Sequence, residues 1–267
     1  MTFTSHSGQK SSLRKRLLPW VVSAVALFLV IGTAMCQYNA KPISGTERLR
    51  FLIAHPCPSG SGKCDLPTVL LADGQFMRSS AEEVISDFGA VLKANPTVKT
   101  VCFNSPGGDG KASRALGMAI AEKHLDTCFA SRYQLMDGSF TGRAICNSAC
   151  VWTLLAGKER VAMSNDVQVG IHSSRHTVCM FGCTAPLFED PSEKREFKAA
   201  LQSFATLREG LLPSGQAELL EASYQIRANC IHYVALGELN RLQYFSKWAG
   251  DATSTAAVVS GIADECQ

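Results

Sequence analysis

Ile145-Cys146-Asn147-Ser148-Ala149-Cys150 is the stretch on which the reading of this chain turns. A short apolar run and Gly142 precede Ser148, and residues 149–156, with Val151, Trp152, Leu154 and Leu155, have the pattern of a buried helix. A serine at a strand-to-helix turn exposes its hydroxyl, and the amide of the next residue points the same way. The helix N-terminus adds a field that favours a developing negative charge. The simpler role for such a serine is an N-cap. The neighbours must decide between the two.

Outward from this stretch the chain alternates strands and helices. Residues 50–54, closed off by His55-Pro56, and 68–72, ended by Asp73-Gly74, read as strands. Ser80-Ala81-Glu82-Glu83 is a capping box, behind which Val84, Ile85, Phe88, Val91 and Leu92 share one helical face until Asn95-Pro96. Residues 98–103 are short and apolar, as suits a strand in a buried parallel sheet. Ser105-Pro106-Gly107-Gly108 follows, then a helix with Ala112, Leu116 and Ile120 on its face, then a strand at 127–130. This order predicts an α/β fold with parallel strands, in which ligand groups gather at the carboxyl ends of strands. Gly107-Gly108 and Ser148 both fall at such ends. Residues 160–163 and 167–171 are further strands, and His172 comes directly after the second. Asp190-Pro191-Ser192-Glu193 opens a helix carrying Phe197, Ala200, Leu201, Phe204 and Leu207 on one face, and residues 216–223 and 237–242 read as shorter helices.

Composition bounds the function. The chain has 267 residues, 46% of them hydrophobic, enough for one sizeable core. Its formal charge is +3, but Lys10, Arg14, Lys15 and Arg16 stand in residues 1–36 with no acid beside them. The remainder carries 22 basic against 23 acidic residues, so no cationic surplus argues for nucleic acid. Residues 17–36 form an uncharged run of 20, about 30 Å as a helix, which matches a bilayer core. The expected organisation is a basic cytoplasmic tail (1–16), a transmembrane signal-anchor (17–36) with Trp20 at the interface, a linker (37–48) and an exported domain (49–267). A cleaved signal peptide is the rival reading; the run exceeds the usual core of about 7–15 residues. A bacterial inner-membrane protein with a periplasmic domain is the expectation.

Cysteine usage agrees with export. Ten of the 11 cysteines follow or lie within the domain beyond residue 36, an even and dense set that implies disulfides. Cys57 and Cys64 bracket a Pro/Gly/Ser loop, and Cys179 and Cys183 bracket Met-Phe-Gly, so both pairs read as local staples. The other six admit many connectivities. A disulfide from Cys146 or Cys150 would brace the turn that carries Ser148.

The glycine turn Asn104-Ser105-Pro106-Gly107-Gly108, the serine about forty residues on, and the histidine ending a strand 24 residues later together resemble the Clp-protease proteolytic subunit and the wider Clp/crotonase superfamily. The likeness extends to exported Clp-protease-like proteins of bacteria, through the cysteines around Ser148-Ala149 and Ala156-Gly157-x-x-Arg160. It covers residues 98–172 well and the rest of the domain loosely. The resemblance implies a Clp/crotonase-like parallel-sheet domain behind one transmembrane helix, and a serine peptidase without a cofactor. It makes Ser148 the nucleophile, His172 the general base, and the amides of Gly108 and Ala149 the oxyanion hole. The chemistry suits those residue types: a hydroxyl needs a base within reach, and loss of one oxyanion donor typically costs about 3 kcal/mol. Relatives form rings or stacks, which implies a homo-oligomer of unspecified size.

The family's acid falls in a stretch that here reads Arg227-Ala228-Asn229-Cys230, with no carboxylate. Asn229 is the tentative third member, with Glu221 and Asp166 as alternatives. His172, His176, Cys179 and Cys183 also invite a zinc reading, but their spacing fits no common pattern and no metal is expected. Two other classes stand beside the peptidase: a non-catalytic domain binding peptides or scaffolding a membrane complex, and acyl-CoA chemistry, which an exported domain disfavours. The expected partners are a peptide or protein substrate and the membrane.

Overall fold

The computed structural model describes residues 47–58, 64–77, 81–177, 186–189, 191–227, 230–249 and 265–266, together with Ser23, Ala26 and Leu27. The chain divides into two compact units, Met1–Lys41 with Thr177–Leu187, and Pro42–His176 with Phe188–Gln267. In the first, Ser23, Ala26 and Leu27 are helical. The predicted anchor otherwise lies outside the described residues, among which no helix is long and apolar enough to cross a membrane. All that follows concerns the second unit.

Its elements run β1 (Arg50–Cys57), β2 (Val69–Asp73), α1 (Ala81–Ala94), β3 (Thr100–Asn104), α2 (Gly110–Glu122), β4 (Asp126–Phe129), β5 (Arg132–Leu135), β6 (Cys146–Asn147), α3 (Ala149–Leu154), β7 (Arg160–Ala162) and β8 (Gln168–Ile171). The short strands β9 (Arg175–Thr177) and β10 (Pro186–Glu189) divide their residues between the two units. Then come α4 (Pro191–Leu207), α5 (Ser214–Ser223), β11 (Cys230–Ala235), α6 (Leu236–Arg241), β12 (Lys247–Trp248) and β13 (Glu265–Cys266).

A seven-stranded sheet has the order β12-β7-β4-β3-β2-β1-β5. From β12 to β2 every pairing is parallel, whereas β1 runs antiparallel to both β2 and β5. The expectation of a parallel sheet is therefore corrected to a mixed one. No helix separates β1 from β2, and a connection without a crossover returns the chain antiparallel. β1 also extends beyond its predicted end. Pro56 continues the strand because β2 pairs only as far as Ala54, so at Pro56 the strand has β5 alone as neighbour and one missing N–H is tolerated. β5 and β11 were not among the predicted strands; their half-polar sequences, Arg-Tyr-Gln-Leu and Cys-Ile-His-Tyr-Val-Ala, lack a clean apolar run.

A second sheet, β13-β11-β8-β6, holds β6 parallel to β8 and β8 antiparallel to β11. An isolated bridge from Ser105 to Cys146 stitches it to the loop after β3, and another from Phe76 to Gly108 joins that loop to the one after β2.

The core lies where α2 packs against α1, α3 and α4. Phe88, Phe103, Leu116, Ile120, Leu154, Leu155 and Phe204 are fully buried. Gly117 is the contact that lets α4 approach: a Cβ there would come within 2.5 Å of the Phe204 ring. Asp109 caps α2, its carboxylate accepting from the Ala112 amide at 2.9 Å. Six-residue α3 is too short to hold itself, and side chains from around it take its carbonyls. Ser113 donates to Ala149, Thr127 to Leu154, Tyr244 to Val151 and Arg208 to Leu155. Burial, with Arg160 nearby, draws the Arg208 guanidinium down to about 10.

Tyr133 fastens β5 to β3 from inside the core. Its buried hydroxyl accepts from the Ala130 amide at 2.9 Å and donates to the Phe103 carbonyl at 3.1 Å, and burial pushes its pKa far up. Replacing it by phenylalanine strands both backbone groups. Tyr133→Phe is expected to lose about 1–3 kcal/mol, read from the urea midpoint.

Candidate active site

Three chain segments meet at the carboxyl ends of β3, β6 and β8. The first two are joined by backbone bonds: the Ser105 amide donates to the Ile145 carbonyl at 2.7 Å, and the Asn147 amide returns to Ser105 at 3.0 Å. Asn104 extends the junction. Its carboxamide donates to Asp73 at 2.7 Å, and its oxygen accepts from the Ile145 amide at 3.0 Å. β6 and β8 pair with Asn147 opposite Gly170, so Ser148 and His172 each begin just past the end of neighbouring parallel strands or one residue from it. Such strands lie about 4.8 Å apart. The Ser148 amide donates to the Gly170 carbonyl at 2.7 Å, closing the link.

Ser148 is half-buried and has φ 55° and ψ −122°, a backbone setting that L-residues seldom occupy. Its hydroxyl makes no capping bond to α3. The simple N-cap reading is thereby corrected: with φ positive, the side chain is turned away from the first helical turn it would have to reach. Asn147 and Ala149 on either side are buried, at 4% and 3% exposure, so the serine is the one member of the turn presented outward.

Gly107 and Gly108 lie against this turn with φ 93° and 123°. A Cβ on Gly107 would stand 2.5 Å from the Asn147 carbonyl, 2.7 Å from Ser148 Cβ and 3.0 Å from the Ala149 nitrogen. No side chain fits there. Gly108 is exposed, and a Cβ on it would meet the Phe76 carbonyl at 2.1 Å. Among the described residues neither the Gly108 nor the Ala149 N–H has a protein acceptor. Two unspent amides on adjoining segments beside a hydroxyl form a polar corner suited to an anionic oxygen.

His172 is oriented by its own backbone. Its Nδ1 lies 2.7 Å from the Ser173 carbonyl, and since a carbonyl only accepts, Nδ1 carries the proton. In the neutral ring Nε2 then holds the lone pair. Ser173 is itself pinned, its amide donating to the Ile226 carbonyl at 3.1 Å, and the next residue, Ser174, shares a 2.9 Å hydrogen bond with Tyr224. The Ser173 carbonyl has no signature in the residue letters, and Asn229, the side chain expected in the orienting role, lies outside the described residues. Asn104 was legible only as the first letter of the glycine motif.

Asn229, Cys179 and Cys183 lie outside the described residues. Glu221 pairs with Lys194 on the surface, at 55% side-chain exposure. Asp166 lines a cavity of about 220 Å³ with Ser131, Arg143, Asn147, Gln168 and Tyr233, and its carbonyl accepts from Arg143. Cys57–Cys64, Cys102–Cys128 and Cys146–Cys150 are disulfides, and Cys230, bonded as well, stands opposite Cys266 in the β11–β13 register. Cys102 and Cys128 face one another across β3 and β4. His55 contacts the Leu66 carbonyl at 3.1 Å, a structural role.

No protein-family model matches the chain, and no curated protein matches it. Among solved structures it is similar to a mutant of the 1510-N membrane-bound stomatin-specific protease, with 13% identity and a TM-score of 0.44 over 66% of this chain and 76% of that one.

The strained φ at Ser148 has a measurable consequence. Glycine takes such torsions without penalty but loses more chain entropy on folding. Strain of about 1–3 kcal/mol outweighs an entropy loss of about 0.4–1. Ser148→Gly is therefore expected to stabilise the domain by about 1 kcal/mol in urea unfolding, and Ser148→Val to destabilise it.

Proposed function

We propose that this domain, on a Clp/crotonase-like fold, hydrolyses peptide bonds by acyl transfer through Ser148. The observation that carries the reading is the backbone of Ser148: a strained serine at a strand-to-helix turn, its hydroxyl unused by the helix, beside two amides with no acceptor among the described residues. Strain of this kind persists where the surrounding structure enforces it, and it clusters at reacting groups.

In the proposed mechanism Nε2 of His172 removes the proton from Ser148 Oγ as Oγ bonds to the substrate carbonyl carbon. The amides of Gly108 and Ala149 donate to the oxygen that becomes negative. His172 passes its proton to the departing amine as the C–N bond breaks, leaving an acyl-serine. Water, deprotonated by the same imidazole, then releases the acid and restores the hydroxyl. The Ser173 carbonyl holds the ring in place, a role elsewhere filled by a carboxylate or a carboxamide. It fixes the tautomer but adds less charge stabilisation to the imidazolium than an anion would.

We also infer that the domain acts outside the cytoplasm of a bacterial cell, on a peptide or protein substrate, tethered to the inner membrane by residues 17–36. The uncharged run of 20 residues and the basic segment before it support the tether. The disulfides support an oxidising compartment.

A fluorophosphonate probe tests the chemistry directly. The wild-type chain is expected to label at a single serine, Ser148→Ala to lose the label, and His172→Ala to label about 10²- to 10⁴-fold more slowly. Folded wild-type protein that takes no label would instead favour a non-catalytic domain that binds peptides or scaffolds a membrane complex.

A further inference from the structure

The elbow that carries Ser148 is closed by a covalent bond. Cys146 is the penultimate residue before the serine, on β6, and Cys150 is the second residue of α3; their sulfurs are joined, with Cα atoms 5.3 Å apart. Between the two cysteines the ring so formed holds only Asn147, Ser148 and Ala149. Both cysteines are fully buried, so the bond lies beneath the turn and the serine above it.

Among the described residues, non-covalent restraints act on only one limb each. Bonds from Ser105 and Gly170 hold the β6 limb, up to and including the Ser148 amide. Ser113, Thr127 and Tyr244 hold carbonyls of the α3 limb. The Gly107 backbone presses on the turn from outside but bonds to neither limb there. The Asn147 side chain does not compensate, for its buried Oδ1 has no hydrogen-bond partner among the described residues. What joins the two limbs directly, across the residue with the costly torsions, is the disulfide.

We propose that the Cys146–Cys150 bond is the positioning brace of the nucleophile: closed, it holds Ser148 in its strained, reactive setting; open, it leaves a folded domain whose serine relaxes and reacts slowly. This rests on the reading of Ser148 as the nucleophile. Opening is a thiol–disulfide exchange. A dithiol reagent such as dithiothreitol attacks one sulfur as a thiolate, its second thiol closes on the first, and two electrons and two protons pass to Cys146 and Cys150 while the reagent becomes a cyclic disulfide. The consequence is a site that works at its full rate only in an oxidised chain.

The test uses the full chain in two independent readouts. In the first, fluorophosphonate acylation of Ser148 is timed in the wild type, in Cys146→Ala/Cys150→Ala, and in Cys57→Ala/Cys64→Ala as a control for disulfide loss elsewhere. Expected is a fall of about 10- to 100-fold in the limiting acylation rate of the first double variant, with unchanged half-saturation by the probe. The control is expected to keep the wild-type rate. Acylation within twofold of wild type in Cys146→Ala/Cys150→Ala overturns the proposal.

The second readout needs no activity. Ser148→Gly is introduced into the wild type and into Cys146→Ala/Cys150→Ala, and urea midpoints are compared. If the bond enforces the strain, the upward shift that glycine produces in the wild type disappears in the background without the bond; an equal shift in both overturns the proposal. A wild-type chain that never labels refutes the peptidase reading, and the brace is then decided by this comparison alone. Should the double variant not fold, Cys150→Ser repeats both readouts.

Discussion

Three strand ends share one corner, and the torsions of Ser148 are the result. β3 delivers Ser105 against Cys146, β8 delivers Gly170 to the serine amide, and α3 must begin at once because its first residues are already buried beneath α2. A chain that leaves a strand, turns and enters a helix within one residue has few torsions open to it. Ser148 takes an unfavourable one, offset by burial of the core around it and spanned by the Cys146–Cys150 bond. Remove any of the three ends and the turn has room to relax.

The rest of the domain reads as support for that corner. The parallel part of the large sheet sets the level at which β3 ends, and Asp73 and Asn104 carry that level across to residue 145. Gly107 and Gly108 let two backbones approach to distances no side chain would allow. Ser113 and Thr153, bonded to one another at 2.8 Å inside the core, meet at the first carbonyl of α3 and lock the helix to α2. Gly117 admits the Phe204 ring and so brings α4 over the same helix. Ser113, Thr127, Thr153 and Tyr244 are thus buried where they restrain the turn, each with a defined partner, while the apolar residues provide the general cohesion.

His172 shows how a site departs from the pattern its residue types suggest. A histidine directly after a strand is easily placed from sequence. The contact its Nδ1 makes is not, because the Ser173 carbonyl is part of every peptide and reaches the ring only when the chain bends there. Likewise the half-polar β5 and β11 left little trace in the letters: their stability comes from neighbours on which they lie, not from intrinsic alternation. The mixed direction of the sheet followed from the missing helix between β1 and β2, a feature visible in the chain but outweighed by the α/β rhythm after it.

Local chemistry was settled along the chain itself. The helical faces, the cap at Asp109, the glycine pair after β3 and the serine at a strand-to-helix junction are consequences of neighbouring residues, because helix periodicity, capping and positive φ act over a few positions. Convergence was decided only by the fold. That residues 107, 148 and 172, far apart in sequence, end neighbouring segments depends on which strands pair and in what register, and pairing is a property of the packed sheet. The torsions of Ser148 belong to the same category, since residues 146–150 take them only where β6, β8 and α3 are packed together.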